Sequence, residues 1–221
     1  MARRRTAILI SGRGSNMVAL IEAARNPKFG AEIALVLSND PSARGLETAR
    51  AAGVAVAAVD HRIHATREDF ERTVDHLLSI HRIELICLAG FMRLLTPWFV
   101  GRWDGRMINI HPALLPSYKG LNTHARALAD GVKIHGCTVH FVVPAVDAGP
   151  IIMQAAVPVL DDDTSETLAA RVLAQEHVVY PAALDLVASG RATLAQGRVR
   201  GPVARLDSGS RALLQPLPLA D

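Results

Sequence analysis

Two residues near the middle of the chain have the types and spacing for acyl chemistry. In Asn109-Ile110-His111-Pro112 an amide donor and a titratable imidazole stand two positions apart. In an extended strand such positions face the same side, so Asn109 and His111 would share one side while Ile110 faces the other. Pro112 would stop the strand and leave His111 at its C-terminal rim. Asn109 can donate to a developing oxyanion, and His111 can stabilise charge and move a proton. Taken alone, the pair also fits a loop-capping His and an Asn bonded to backbone.

Further along, Pro144-Ala145-Val146-Asp147-Ala148-Gly149-Pro150 brackets an acid between prolines and a glycine. That composition shapes a loop rather than leaving it slack. A carboxylate close to His111 would hold the imidazole in one orientation and keep it charged. The plainer role for Asp147 is a turn residue bonded to its own backbone. Near the start, Ser11-Gly12-Arg13-Gly14-Ser15-Asn16 lies between an apolar run and a helical segment. Two glycines allow close backbone approach, and the following helix start offers free N–H groups suited to a phosphate. The third glycine of a dinucleotide fingerprint would fall at Met17, and no Gly-Lys-Ser/Thr follows, so one phosphate monoester is favoured over a pyrophosphate. Gln175-Glu176-His177 falls mid-helix. Glu176 could reach a ligand amine, although an exposed helical acid is the ordinary role. Phe91-Met92-Arg93-Leu94-Leu95 could line a pocket for a flat ring, or simply pack helix on sheet. His61, His64, His76 and His81 lack metal-ligand spacing and read as solvated.

The elements that must position these residues follow from the apolar pattern. Short apolar runs at 6–11, 31–38, 54–59, 84–89 and 107–111 read as strands. Helical segments at 15–25, 42–52 and 66–80 alternate with the first four. Continuous apolar strands separated by helices imply an α/β fold, a doubly wound and mostly parallel sheet covered on both faces. From Gly136 the pattern changes to two strands, 137–143 and 150–159, expected to be antiparallel. A long helix over 164–186 follows with Thr164 as N-cap, then a terminal strand over 192–199. One domain is expected over 1–221, with its core at about 6–199 and a loosely structured tail at 200–221.

Composition excludes several classes. The 221 residues are 50% hydrophobic and 20% charged, too apolar for a disordered chain. A net charge of +3 with a pI near 9.2 is a weak nucleic-acid footprint, and Arg3-Arg4-Arg5 fall at a start that reads as disordered. Aromatics are only 4%, too few for stacking platforms. Cys87 and Cys137 match no zinc or redox spacing. No apolar run is long enough to span a bilayer, and the first one is too short for a signal-peptide core. A soluble cytoplasmic protein without metal is expected.

Together these motifs resemble the folate-dependent phosphoribosylglycinamide formyltransferase family. The match comprises S-G-x-G-S-N at the start, A-G-F-M-R-L-L at 89–95, N-I-H-P at 109–112 and Leu114-Leu-Pro-Ser-Tyr-Lys-Gly120. It continues with D-x-G-P at 147–150 and Q-E-H at 175–177. Order and spacing hold from about Thr6 to Val199. The resemblance implies a Rossmann-like formyltransferase fold. It also implies a phosphate site at Gly14, Ser15 and Asn16, with Glu176 at the glycinamide end of the substrate. Arg67, Met92, Arg93, Leu94 and Leu95, with Asn109 and the backbone from Val143 to Asp147, would form the folate site. Asn109, His111 and Asp147 would be the catalytic group. Two positions depart from the family: Asn122 stands where a His is common, and Leu173 is apolar where a polar residue near the phosphate is expected.

The implied reaction is formyl transfer from 10-formyltetrahydrofolate to the primary amine of 5-phosphoribosylglycinamide, in de novo purine biosynthesis. The partners would be these small molecules alone, with no nucleic acid or membrane, in a monomer or homodimer. A 10-formyltetrahydrofolate hydrolase, a methionyl-tRNA formyltransferase relative and a non-enzymatic folate- or phosphate-binding module are the alternatives. The hydrolase usually carries an extra N-terminal domain and the tRNA enzyme an RNA-binding extension. A pure binder has no need of all three catalytic side chains.

Overall fold

A computed structural model describes residues 2–202 and, as backbone, 213–215. The first five apolar runs form β1 (Arg4–Ile10), β2 (Ala31–Ser38), β3 (Val56–Ala58), β4 (Leu85–Leu88) and β5 (Met107–His111). They lie parallel in the spatial order β3-β2-β1-β4-β5. The chain then reverses. β6 (Ile134–Phe141) and β7 (Ile151–Pro158) run antiparallel beside β5. Two short strands, β8 (Thr193–Ala195) and β9 (Arg198–Arg200), form a separate hairpin. β10 (Leu213–Gln215) pairs antiparallel with β7 and completes an eight-stranded sheet.

Helices cover both faces. α1 (Ser15–Ala23), α2 (Arg44–Ala51) and α3 (Arg67–Ile80) connect the parallel strands, α4 (Pro97–Arg102) precedes β5, and α5 (Thr123–Ala129) precedes β6. α6 (Ser165–Ala188) packs against α1, β6 and β7. Alternation along β1 divides the core. Ile8 and Ile10 join Met17, Leu20, Leu46, Tyr180 and Leu184 on one face. Ala7 and Leu9 join Phe70, Val74, Leu78, Phe99 and Trp103 on the other. This two-sided burial explains why the strands read as unbroken apolar runs. Fully buried Tyr180 donates its hydroxyl to the Leu88 carbonyl at 3.0 Å, tying α6 to the end of β4.

Several details differ from the sequence reading. The expected strand over 192–199 is broken into β8 and β9 by Gln196 and Gly197, both at positive φ, which turn the chain back on itself. Arg3–Arg5 are not a loose start. Arg4 and Arg5 open β1, and Arg3 donates to the carbonyls of Ala24, Phe29 and Ala31. Arg5 pairs with Glu32 at 2.9 Å and donates to the His81 carbonyl. Carbonyls at the starting edge of the sheet thus take up arginine donors. α4 and α5 were not foreseen, although Thr96 before Pro97 is a capping signal, and Thr96 does accept from the Phe99 N–H. The expected tail at 200–221 falls largely outside the described residues.

Candidate active site

β5 delivers Asn109 and His111 to the C-terminal rim of the sheet, where open α/β sheets bind ligands. The faces alternate as expected: Met107 joins one side of the core, Ile108 and Ile110 the other beside α6, which leaves Asn109 and His111 on the side away from α6. His111 is 4% exposed. Its Nε2 lies 2.9 Å from the Tyr118 carbonyl, which can only accept, so Nε2 carries a proton. Its Nδ1 lies 3.4 Å from Asp147 Oδ2. Both ring nitrogens therefore face acceptors.

Asp147 comes from the loop joining β6 to β7 and takes a positive φ of 48°, which Asp tolerates better than most residues. Its Oδ2 also accepts from the Gly120 N–H at 2.9 Å, so the carboxylate bridges His111 and the loop after β5. Gly149 holds this β6–β7 loop against the sheet. A Cβ there would sit 1.7 Å from the Phe141 carbonyl oxygen. The loop after His111 is pinned as well: Thr138 Oγ1 donates to the Ala113 carbonyl and accepts from the Leu115 N–H.

Asn109 is oriented by a residue the sequence reading did not single out. Asn109 and His140 are cross-strand partners, and their Nδ2 and Nε2 lie 3.2 Å apart. His140 Nδ1 is 2.9 Å from the Phe141 carbonyl, so that nitrogen carries the proton and Nε2 can accept from Asn109. Burial pushes the His140 pKa down, against the opposing influence of that carbonyl and of Asp147, and favours the neutral ring. One Asn109 hydrogen is thereby committed to His140, and the other is available to an oxyanion.

The glycine-rich loop opens α1. Gly14 is its N-cap at φ 73°, a conformation that suits glycine. Asn16 is buried, and its Nδ2 donates to Glu176 Oε2 at 2.6 Å. Glu176 is only 7% exposed, so the ordinary role of a solvated helical acid does not hold. Burial raises its pKa, while the Asn16 bond lowers it. Among the described residues, buried Asn16 Oδ1 has no hydrogen-bond partner. The residues expected at the two ends of one substrate are therefore in direct contact.

A separate cavity of about 190 Å³ is lined by His61, His64, Ala65, Thr66, Arg67, Phe70 and Arg93. It brings together Arg67 and Arg93, which are 26 positions apart in sequence. Among the described residues, buried Arg93 Nε has no hydrogen-bond partner. Met92 and Leu94 are well exposed, at 69% and 63%. Leu95 and Val143 are half-buried.

Residues 4–184 match the family model described as formyl transferase. The chain belongs to the formyl transferase family. Within that family it is 44% identical over 184 residues to the phosphoribosylglycinamide formyltransferase of Escherichia coli (strain K12), covering 83% of this chain and 87% of that protein. It is 49% identical over 194 residues to the human trifunctional purine biosynthetic protein adenosine-3, covering 88% of this chain but 19% of that much longer protein. The crystal structure of glycinamide ribonucleotide transformylase 1 from Symbiobacterium toebii superposes with a TM-score of 0.87 at 44% identity. It covers 90% of this chain and 93% of that one. The mostly parallel sheet and its antiparallel extension are thus the architecture of this formyl transferase family.

Against that family frame, the structure brings Asn109, His111 and Asp147 together, joins Asn16 to Glu176, and places Arg67 beside Arg93. Sequence reasoning missed His140, the Tyr118 carbonyl, the Gly120 N–H, and the half-buried His61 and His64. His140 had a usable signal. An antiparallel hairpin after a strand bearing Asn109 requires some partner for it, and the histidine on β6 meets it in register.

Proposed function

We propose that this chain transfers the formyl group of 10-formyltetrahydrofolate to the amine of 5-phosphoribosylglycinamide, a step of de novo purine biosynthesis, on a single formyltransferase domain. The observation that carries this reading is the convergence of the Asn109 amide, the His111 imidazole and the Asp147 carboxylate at the end of β5. Gly14, Ser15 and Asn16 receive the ribosyl phosphate at the start of α1. Glu176 takes the glycinamide end. Exposed Met92 and Leu94, with Leu95, Val143 and Asn109, offer an apolar and backbone-lined seat for the flat folate ring. Arg67 and Arg93 face its anionic tail.

The amine nitrogen attacks the formyl carbon directly. A C–N bond forms, and the carbonyl electron pair moves onto oxygen. The free Asn109 hydrogen and a His111 proton stabilise that oxyanion. Both His111 nitrogens already face acceptors, so the oxyanion must replace one of them. Asp147 is anchored by the Gly120 N–H, so the oxyanion displaces the Tyr118 carbonyl from Nε2. Asp147 orients the imidazole and relays a proton from the attacking amine to the folate nitrogen. The oxyanion pair then collapses, the bond to the folate nitrogen breaks, and tetrahydrofolate leaves. Buried, unpaired Cys87 and Cys137 suit the reducing environment of the cytoplasm. No helix among the described residues is long and apolar enough to cross a membrane.

The test mixes purified protein with 10-formyltetrahydrofolate, with and without 5-phosphoribosylglycinamide, and follows tetrahydrofolate release. Release that requires the amine supports transfer. Equal release without it would assign a hydrolase and refute the proposal.

A further inference from the structure

The ends of four adjacent parallel strands are tied by side chains that the reaction itself does not use. Ser11 closes β1, Asn39 closes β2, His61 follows β3, and Met92 follows β4. The Ser11 hydroxyl accepts from the Met92 N–H at 2.7 Å and donates to Asn39 Oδ1. The Ser11 N–H donates to the Gly90 carbonyl at 3.2 Å, so two bonds join this residue to the 90–92 segment. Asn39 is 4% exposed, and His61 Nδ1 lies 2.9 Å from its backbone carbonyl oxygen and 3.1 Å from its side-chain Nδ2. His61 in turn lines the cavity that holds Arg67 and Arg93. A hydrogen-bonded row therefore runs from the first residue of the glycine-rich loop to the donor side of the site.

We propose that Ser11 is a positioning residue that couples the two substrate sites, holding the Met92–Arg93 segment in register with the Gly12–Asn16 loop. The proposal rests on the formyl-transfer reading for what each loop binds, while the Ser11 bridge itself stands on geometry. A ligand that settles the glycine-rich loop settles Ser11, and with it the Met92 amide and the adjacent Arg93. The hydroxyl already spends its donor and one acceptor position within the fold. Coupling of this kind is reciprocal: each ligand raises the affinity of the other by the same factor.

The experiment measures binding of tetrahydrofolate, the donor without its formyl group and so unreactive, with and without saturating 5-phosphoribosylglycinamide. The ratio of the two affinities is the coupling. In the unaltered protein it is expected to be about threefold to tenfold, the worth of one hydrogen bond gained or lost. In Ser11→Ala it falls to near one, while Ser11→Thr, which keeps the hydroxyl, retains most of it. Amide hydrogen exchange at Met92 in the unliganded protein accelerates in Ser11→Ala, a readout that does not depend on what the site binds. Asn39→Ala removes the hydroxyl's acceptor and gives the same loss of coupling, and it serves if Ser11→Ala fails to fold. Absence of coupling in the unaltered protein, or coupling retained in a folded Ser11→Ala or Asn39→Ala protein, overturns the proposal. Failure of the amine-dependent release assay alongside faster Met92 exchange in Ser11→Ala would remove the substrate assignment and leave the bridge standing.

Discussion

Replacing Gly149 by alanine tests how closely catalysis depends on the seating of one loop. The new Cβ would lie 1.7 Å from the Phe141 carbonyl oxygen and 2.8 Å from its carbon. Both neighbours are backbone, so neither can swing aside, and ordinary carbon contacts are about 3.5–4.0 Å. The loop must lift by more than about 1 Å to relieve this. Lifting strains the Phe141 N–H to Pro150 carbonyl bond, now 2.9 Å, and carries Asp147 away from His111 and Gly120. A displacement of about 1 Å at a catalytic group costs about 100-fold in rate. Overpacking of this kind also costs about 1–3 kcal/mol of stability, or about 2–12 °C in Tm for a chain of this size. Steady-state kcat/KM at 25 °C and a thermal melt read the two effects separately. Gly101→Ala is the control, because its Cβ would meet nothing within 4 Å and its φ is not positive. A folded Gly149→Ala protein with kcat/KM within threefold of the parent would refute the reasoning.

Other perturbations address the site directly. Asn109→Ala, His111→Ala and Asp147→Ala should each lower kcat by at least about 100-fold with the circular dichroism spectrum unchanged, in line with the loss of an oxyanion donor or acid–base group. Near-normal turnover in any of them removes that residue from the mechanism. His140→Phe removes the acceptor that orients Asn109 and should lower kcat about tenfold, an intermediate loss consistent with one hydrogen bond. A parental kcat would assign His140 a purely structural role. Burial, aided by the nearby His124 charge, pushes His135 from 6.5 down to about 4. The unfolded chain therefore binds a proton there that the folded one does not, between about pH 6.5 and 4. Stability should fall across that window by about 1.4 kcal/mol per pH unit for this one group. Denaturant titrations at pH 7.5, 6 and 5 check this, and His135→Leu should flatten the slope.

Much of the architecture was legible because two-sided burial writes itself into the chain as continuous apolar runs. The limits of β2 and β5 match the runs at 31–38 and 107–111, and Thr164 caps α6 as its position suggests. The reversal after β5 showed in the change of pattern at Gly136. What stayed hidden depends on contacts between distant segments. Glu176 carries no sign of burial in its own helix. Its environment is set by Asn16, 160 positions away. His61 and His64 look like solvated residues until the fold sets them beside Arg93. The arginines at the start looked unanchored because their acceptors are backbone carbonyls, which no residue type announces.

The direction change between β5 and β6 has a consequence for how activity would be lost. Asn109 and His111 belong to the parallel half of the sheet, whereas His140 and Asp147 ride on the antiparallel hairpin. The site is thus built across the β5–β6 seam, and it is complete only while that seam is shut. Sub-global openings of this kind cost less than full unfolding. Detachment of the hairpin would silence the enzyme while the β1–β5 block kept its helical and strand signal. Catalysis would then act as a gauge of docking between the halves, failing at lower denaturant than the spectrum does.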